Sequence, residues 1–174
     1  MFDKLIDVII NFIEDIIPFV FIKEYDRAIR FRTGRFHKTC GPGLVWKIPF
    51  FDKVETTTIV TTTISIPTQS VTTSDEKQLV VKSIVKYKIV DIKAFMLNVY
   101  DATDAISDTA QGIIKEQITA KTWAECTDNE LDNTITKKLR TAVKHWGIEV
   151  EKVTLSDIGI IKSLRLFNET VQFT

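Results

Sequence analysis

The sequence predicts an α+β domain in which an antiparallel sheet is followed by packed helices and a last strand. Three patterns support this class: strand-like segments between residues 23 and 90, helical spacing between 102 and 146, and a return to a strand pattern from 148 to 158. Strands first and helices second argue against a doubly wound nucleotide-binding fold. The 174 residues, 44% hydrophobic and 26% charged, suit one folded domain with an appendage.

Residues 1–22 are predicted to form an amphipathic helix that anchors the chain at a membrane, because apolar side chains recur at helical spacing opposite acidic ones. In a membrane-spanning helix, Glu14 and Asp15 would lie near mid-bilayer, where each carboxylate costs at least about 2.5 kcal/mol. We therefore expect the helix to lie in the interface, with Pro18 bending the chain away. A core helix or a subunit contact also fits the periodicity. The residues expected to contact lipid are Phe2, Leu5, Ile6, Ile9, Ile13, Ile16, Ile17, Pro18, Phe19, Val20 and Phe21.

The body of the chain is predicted to open with a hairpin. Residues 23–32 alternate like a strand, and residues 33–35 supply a turn. Residues 40–51 follow, and their glycines and prolines exclude a helix, so a loop is expected. The large apolar side chains of this loop either plug an open edge of the domain or enter lipid beside the N-terminal helix. The residues assigned to this second lipid contact are Trp46, Ile48, Phe50 and Phe51.

Two long strands are predicted next. Residues 54–66 are rich in β-branched threonine, which favours one extended strand ended by Pro67. Residues 79–90 alternate between apolar side chains and lysines and form the second strand. The polar segment 72–77 is expected to connect the two.

Two helices and a final strand complete the predicted domain. The second helix should begin at a capping box over residues 127–130 and stop at Gly147, a residue suited to a left-handed cap. In the last strand, the apolar parity switches between Val150 and Val153, which predicts a bulge. The helical stripes that should pack on the sheet are Ala102, Ile106, Ala110, Ile113, Ile114 and Ile118, and then Leu131, Ile135, Leu139, Val143 and Trp146.

The charge distribution favours an anionic lipid surface over nucleic acid. Positive and negative residues number 23 each, so no global basic excess would attract nucleic acid. Residues 23–53 nevertheless carry eight positive and three negative charges, a net +5, whereas residues 99–133 carry two and eight, a net −6. The basic segment directly follows the most hydrophobic stretch, an arrangement suited to anionic lipid.

No constellation for catalysis or for metal or cofactor binding is recognisable. The six glycines form no phosphate-binding loop, and His37 and His145 lack metal-ligand spacing. Cys40 and Cys126 lack the CxxC spacing of a redox or zinc site. Asp104 and Asp108 share a helix face that is expected to be solvated. We therefore predict a protein that is not an enzyme, with no cofactor, no metal and no catalytic residue.

Several motifs, taken in order, resemble the SPFH or Band 7 family of stomatins, prohibitins and flotillins. The likeness covers about residues 23–160 and is greatest to the stomatin and prohibitin branches. The motifs that carry it are YDRAIRFRTGRF (25–36), GPGL (41–44), WKIPFFDKV (46–54), PTQSVTTSD (67–75), VKYKIVD (85–91) and WGIEV (146–150).

This resemblance implies a non-enzymatic, membrane-associated scaffold. Subunits of such proteins line up into homo-oligomeric rings or cages that organise a membrane patch and often regulate membrane proteases or channels. It also implies an N-terminal anchor, here residues 1–22, and a domain on the cytoplasmic side of the membrane. Family members continue into a long helix, whereas residues 161–174 allow only a short helix or tail. Lipid, further copies of the chain, and a protease or channel client are the expected partners.

Two alternatives remain open from the sequence. The protein could be a soluble assembly or adaptor module whose N-terminal helix packs on a neighbouring subunit or partner. It could also be a decoy subunit that joins another SPFH complex without supplying the long helix and modulates it.

Overall fold

The computed structural model describes residues 17–128 and 130–161. Its order of elements confirms the α+β class, with seven strands, then the helices, then an eighth strand. The strands are β1 (Phe19–Ile22), β2 (Asp26–Arg32), β3 (Arg35–Cys40), β4 (Gly43–Trp46), β5 (Asp52–Thr58), β6 (Thr62–Thr72), β7 (Gln78–Ile89) and β8 (Ile148–Ile160). The helices are α1 (Ile92–Asn98), α2 (Ala102–Thr119), α3 (Trp123–Cys126) and α4 (Glu130–Val143), and a 3-10 turn follows at Lys144–Trp146.

The strands form three antiparallel sheets. Strands β1 and β4 make a two-stranded ribbon, β3-β2-β5 make a second sheet, and β6-β7-β8 make a third. The largest core lies between the third sheet and helices α2 and α4, and it contains both predicted helical stripes. Ile106, Ile114, Ile135 and Leu139 are fully buried there. Burial of such side chains at roughly 1.5 to 3 kcal/mol each holds the helices on the sheet.

Several predicted local features are confirmed. The first hairpin turns at Thr33 and Gly34, both of which have positive φ. The bulge in the last strand lies at Glu151, because Lys86 pairs with Lys152 while the next residue along β7 pairs with Val150. Gly147 adopts the left-handed conformation, with φ of 74°, after the 3-10 turn.

The single strand predicted over residues 54–66 is wrong. Strand β5 ends at Thr58 and β6 begins at Thr62 in a different sheet. Threonine-rich sequence favours extended backbone on both sides of residues 59–61. Strand propensity therefore gives no sign that the chain leaves one sheet and enters another there. Pro67 does not end β6, because it lies at an irregularity between Ile66 and Gln69 where a strand tolerates a missing amide.

Two further expectations are corrected near the start of the described chain. Residues 19–22 form β1 rather than the end of a helix, and residues 43–46 form β4 rather than part of a loop. Each of these strands forms because the other supplies its hydrogen-bonding partner. The partners lie more than twenty residues apart, so the local sequence of either segment carries no periodic pattern that predicts the pairing. Residues 1–16 of the helix expected over 1–22, residues 162–174 of the tail expected over 161–174, and Asn129 of the predicted capping box lie outside the described residues.

Gly147 joins the 3-10 turn to α1 and β7. Its carbonyl accepts hydrogen bonds from the amides of Val90 and Asp91 at 2.9 and 3.0 Å. A Cβ at this position would collide with the backbone carbonyl of Asp91, whose carboxylate caps α1. A glycine is therefore required both for the positive φ and for the close approach.

The variant Gly147→Ala is expected to lower the free energy of unfolding by about 2 kcal/mol or more, because left-handed strain and the collision add. Urea denaturation measures the change. Gly112→Ala is the matched control: it lies within α2 with open space around its Cα and should stabilise the protein by about 1 kcal/mol. Equal stability of Gly147→Ala and the parent protein would contradict the assignment.

Candidate membrane-contact surface

The two-stranded ribbon presents an apolar face to solvent. In β1 and β4, Phe19 lies opposite Trp46 and Phe21 lies opposite Leu44. Directly opposite residues of an antiparallel pair share a face, and alternate residues of a strand share a face. These four residues, the outer ribbon face, therefore project together. Phe21, Leu44 and Trp46 are 72, 69 and 65% exposed, far more than large apolar side chains in a core.

The opposite face of the ribbon is fixed to the body of the protein. Ile22 is buried with Ala28 of β2 and Cys40 of β3, and Val45 and Val54 pack against them. The outer ribbon face is thus held in position by a small core beneath it. Its exposure is a property of the folded domain and does not result from loose strands.

The turn after β4 extends the apolar surface. Ile48, Phe50 and Phe51 are all exposed, and they directly follow Trp46 in the chain. We call the outer ribbon face together with these three residues the membrane-contact surface. Seven large apolar side chains grouped in two short segments differ from the scattered single residues normal on a soluble surface.

A buried carboxylate organises this turn. The side chain of Asp52 is fully inaccessible and accepts hydrogen bonds from Arg32 Nε at 2.7 Å and Arg32 Nη2 at 3.0 Å. It also accepts a hydrogen bond from the Ile48 amide at 3.0 Å. Arg30 donates to the Trp46 carbonyl at 2.8 Å and lies 3.7 Å from Asp52. The start and the end of the turn are thereby tied to β2.

These contacts hold the pKa of Asp52 well below its usual range. The hydrogen bonds from the Arg32 guanidinium have the largest effect, and burial opposes them. The Ile48 amide and the charges of Arg32 and Arg30 lower the pKa further. Asp52 therefore carries its negative charge throughout the physiological range.

Phe50 adopts a backbone conformation that is unusual for a bulky residue. Its φ is 66°, in the left-handed region, and its side chain is 72% exposed. Such strain costs on the order of 1 to 3 kcal/mol and persists where the surroundings impose it. A strained, exposed aromatic residue in the membrane-contact surface suggests a functional reason for its retention.

The sequence-predicted lipid contacts divide into three groups in the structure. Ile17, Phe19, Phe21, Trp46, Ile48, Phe50 and Phe51 are exposed. Val20 is half-buried and lies on the inner side of the ribbon, and Pro18 is half-buried with its carbonyl accepting the Lys47 amide, so neither is an outward contact. The remaining predicted contacts, which lie outside the described residues, are Phe2, Leu5, Ile6, Ile9, Ile13 and Ile16.

Leu44 lies on the outer ribbon face and is a residue that sequence reasoning missed. It alternates with Trp46 at the two-residue spacing of a strand, which is the one signal that could have found it.

Other features bear on function within the described part of the chain. No helix there is both long and apolar enough to cross a bilayer. No group of three or more metal-ligating side chains occurs among the same residues. Asp104 and Asp108 are exposed on α2, as expected of a solvated face.

Comparison with known proteins identifies the family. Residues 20–165 match the SPFH domain / Band 7 family, and the chain belongs to it. Stomatin-3 of Caenorhabditis elegans is 31% identical over 147 residues, which cover 82% of this chain and 55% of that protein. Stomatin-like protein 3 of Mus musculus is 32% identical over 143 residues, covering 80% and 50%. A stomatin homologue of Pyrococcus horikoshii is 31% identical over 143 residues, covering 80% and 53%.

The chain spans about half the length of the curated relatives that it matches. The resemblance found in the sequence motifs is confirmed, as is the SPFH fold. Membership supports a membrane-associated scaffold at a coarse level and is consistent with a non-enzymatic role.

We expect Asp52→Asn to lower the free energy of unfolding at pH 7 by roughly 1.5 to 3 kcal/mol, because it weakens charge-assisted hydrogen bonds to Arg32. The folded pKa of Asp52 is depressed, so its contribution is complete above the ordinary aspartate pKa of about 3.9 and is lost as the pH falls below it. The difference between the parent protein and the variant should therefore shrink in acid.

Urea denaturation at several pH values between 7 and the lowest at which the parent protein stays folded measures this difference. Asp108→Asn, at an exposed position of α2, is the control and should leave stability nearly unchanged. A difference between Asp52→Asn and the parent protein that is independent of pH would show that the Asp52 charge does not hold the turn.

Proposed function

We propose that the protein is a non-enzymatic membrane scaffold that docks through the membrane-contact surface and assembles side by side with copies of itself. The observation that carries this proposal is the outer ribbon face, four large apolar side chains held outward by a buried inner face. Strand β1 receives the chain from residues 1–16, so the predicted N-terminal anchor and the ribbon would reach the same membrane surface.

Energetics favour docking. Fully burying a large apolar side chain contributes roughly 1.5 to 3 kcal/mol, so even partial burial of seven such groups outweighs the association cost of several kcal/mol. Lys47 and Lys53 flank the apolar turn, and each basic residue near an anionic surface adds about 1 kcal/mol. The surface thus combines apolar insertion with electrostatic attraction, the arrangement expected of an interfacial protein.

Beyond membrane docking, the proposal includes assembly of copies of the chain and regulation of a membrane protein. The basic segment 23–53 contains β4 of the ribbon and β2, β3 and the start of β5 in the second sheet, whereas the acidic segment 99–133 contains α2, α3 and the start of α4. Opposite charges on different elements would let neighbouring copies pair side by side into a ring or cage. A membrane protease or channel enclosed or bordered by such an assembly is the proposed client, and the domain would face the cytoplasm.

Membrane docking predicts that the double variant Phe21→Ser, Trp46→Ser weakens binding to phosphatidylcholine vesicles containing anionic lipid by at least tenfold. Loss of two partly inserted aromatic groups removes more than the 1.4 kcal/mol that a tenfold change requires. Vesicle co-sedimentation of the full chain measures binding. The matched control is Val90→Ser, Tyr100→Ser, which removes two exposed apolar side chains elsewhere and should bind like the parent protein.

A single variant at Phe50 and electron microscopy of the bound protein extend this vesicle-binding test. Phe50→Gly should weaken vesicle binding while changing stability by less than about 1 kcal/mol, because glycine accepts the positive φ. Electron microscopy of the bound parent protein should show repeating side-by-side subunits. Equal vesicle binding by both double variants, with a soluble oligomer formed without lipid, would contradict membrane docking and favour the assembly or adaptor module.

A further inference from the structure

A small basic cavity opens beside the outer ribbon face. Its volume is about 330 Å³, and Arg30, Lys38 and Cys40 line it together with Leu44 and Trp46. Leu44 and Trp46 belong to the membrane-contact surface, so the cavity lies at the border between apolar and basic surface. Membrane docking by itself gives no role to Lys38 and explains only part of the environment of Arg30.

Strand register brings the two cations together. Arg30 of β2 pairs directly with Lys38 of β3, so the two side chains share one face of the sheet. Like charges directly opposite each other on a sheet are destabilising. Arg30 is also only 9% exposed, which reduces the screening of its charge by water.

Among the described residues, the countercharge supplied to this pair is the single carboxylate of Asp52, which Arg30 shares with Arg32. Both carboxylate oxygens of Asp52 accept hydrogen bonds from Arg32, and Arg30 approaches Asp52 only to 3.7 Å. Within residues 17–128 and 130–161, no carboxylate forms an ion pair with Lys38, and the buried Nε of Arg30 has no hydrogen-bond acceptor. Buried polar groups are normally satisfied, and this unsatisfied N–H belongs to a residue that lines the cavity, which points to an acceptor from outside the chain.

We propose that this cavity binds the phosphate group of an anionic lipid headgroup. A phosphate offers several acceptor oxygens and at least one negative charge, which suits a guanidinium with a free N–H and a nearby ammonium group. Leu44 and Trp46 at the rim would contact the acyl region while Arg30 and Lys38 hold the headgroup above it. The assignment to a lipid and not to free phosphate rests on the proposed membrane docking. The assignment of a phosphate group to the cavity does not depend on docking.

Vesicles test the lipid assignment. Phosphatidylcholine vesicles are doped with either phosphatidic acid or oleate to equal surface charge, so that the added anion is a phosphate monoester in one and a carboxylate in the other. The parent protein should bind the phosphatidic acid vesicles at least tenfold more tightly than the oleate vesicles. Lys38→Glu should lose this preference, and Lys115→Glu, which makes the same charge change at an exposed position of α2, should keep it within twofold. Equal effects of the two variants would reduce the preference to general electrostatics and overturn the proposal.

Inorganic phosphate tests the cavity without a membrane. Phosphate at constant ionic strength should raise the thermal midpoint of the parent protein and of Lys115→Glu but leave Lys38→Glu unchanged. Lys38→Glu also places a carboxylate opposite Arg30, so without phosphate its thermal midpoint should equal or exceed that of the parent protein. Such a midpoint excludes misfolding as the cause of a lost phosphate response.

The vesicle and phosphate tests together distinguish a failure of the cavity proposal from a failure of membrane docking. A thermal response to phosphate without vesicle binding would overturn the lipid assignment together with membrane docking and leave a site for free phosphate. Vesicle binding with neither headgroup preference nor phosphate response would overturn the cavity proposal alone.

Discussion

The buried carboxylate of Asp52 is the contact on which the exposed apolar turn of the molecule depends. Arg32 neutralises it from β2 and the Ile48 amide binds it from the turn, so one side chain joins the sheet to the segment that carries the apolar surface. A buried charge of this kind stabilises only when its partners are complete. Charge-assisted hydrogen bonds thereby hold the turn that carries Phe50 and Phe51, whereas apolar burial holds the ribbon.

The ribbon shows how a small sheet can keep apolar groups in water without unfolding. Two-stranded ribbons are marginal by themselves, and this one is stabilised by Ile22 and Val45 packing onto the neighbouring sheet. The outer ribbon face is left with no covering element among the described residues. A bilayer, or a neighbouring copy, removes that apolar area from water. Exposed apolar area is one free-energy cost of this surface, and backbone strain at Phe50 is a second, because glycine would accommodate its positive φ better.

Local patterns predicted those parts of the fold that depend on local physics. The helical stripes ending at Ile118 and Trp146 follow from 3.6-residue spacing, and the bulge at Glu151 follows from a change of parity. Sequence reasoning failed where structure depends on distant partners. Residues 19–22 are four consecutive apolar residues that fit a strand as well as a helix, and only the pairing with β4 decides between the two.

The candidate site shows the same division. The apolar character of Trp46, Phe50 and Phe51 was evident from the sequence, and their exposure agrees with the predicted surface. The inward direction of Val20 and the contribution of Leu44 required the register of β1 and β4. The direct opposition of Arg30 and Lys38 likewise requires the register of β2 and β3, because a regular hairpin would pair Arg30 with His37 and only the irregularity between Arg30 and Phe31 brings Lys38 opposite it.

The depth of the ribbon in a bilayer measures the central claim most directly. A nitroxide attached at position 21 of the full chain, read by power-saturation electron paramagnetic resonance with oxygen and a water-soluble nickel reagent, reports whether that position leaves water. We expect position 21 to be protected from nickel and accessible to oxygen on vesicles, while a nitroxide at position 100, at the exposed Tyr100, stays accessible to nickel. Nickel accessibility at position 21 equal to that at position 100, with the protein bound to vesicles, would contradict docking through the ribbon.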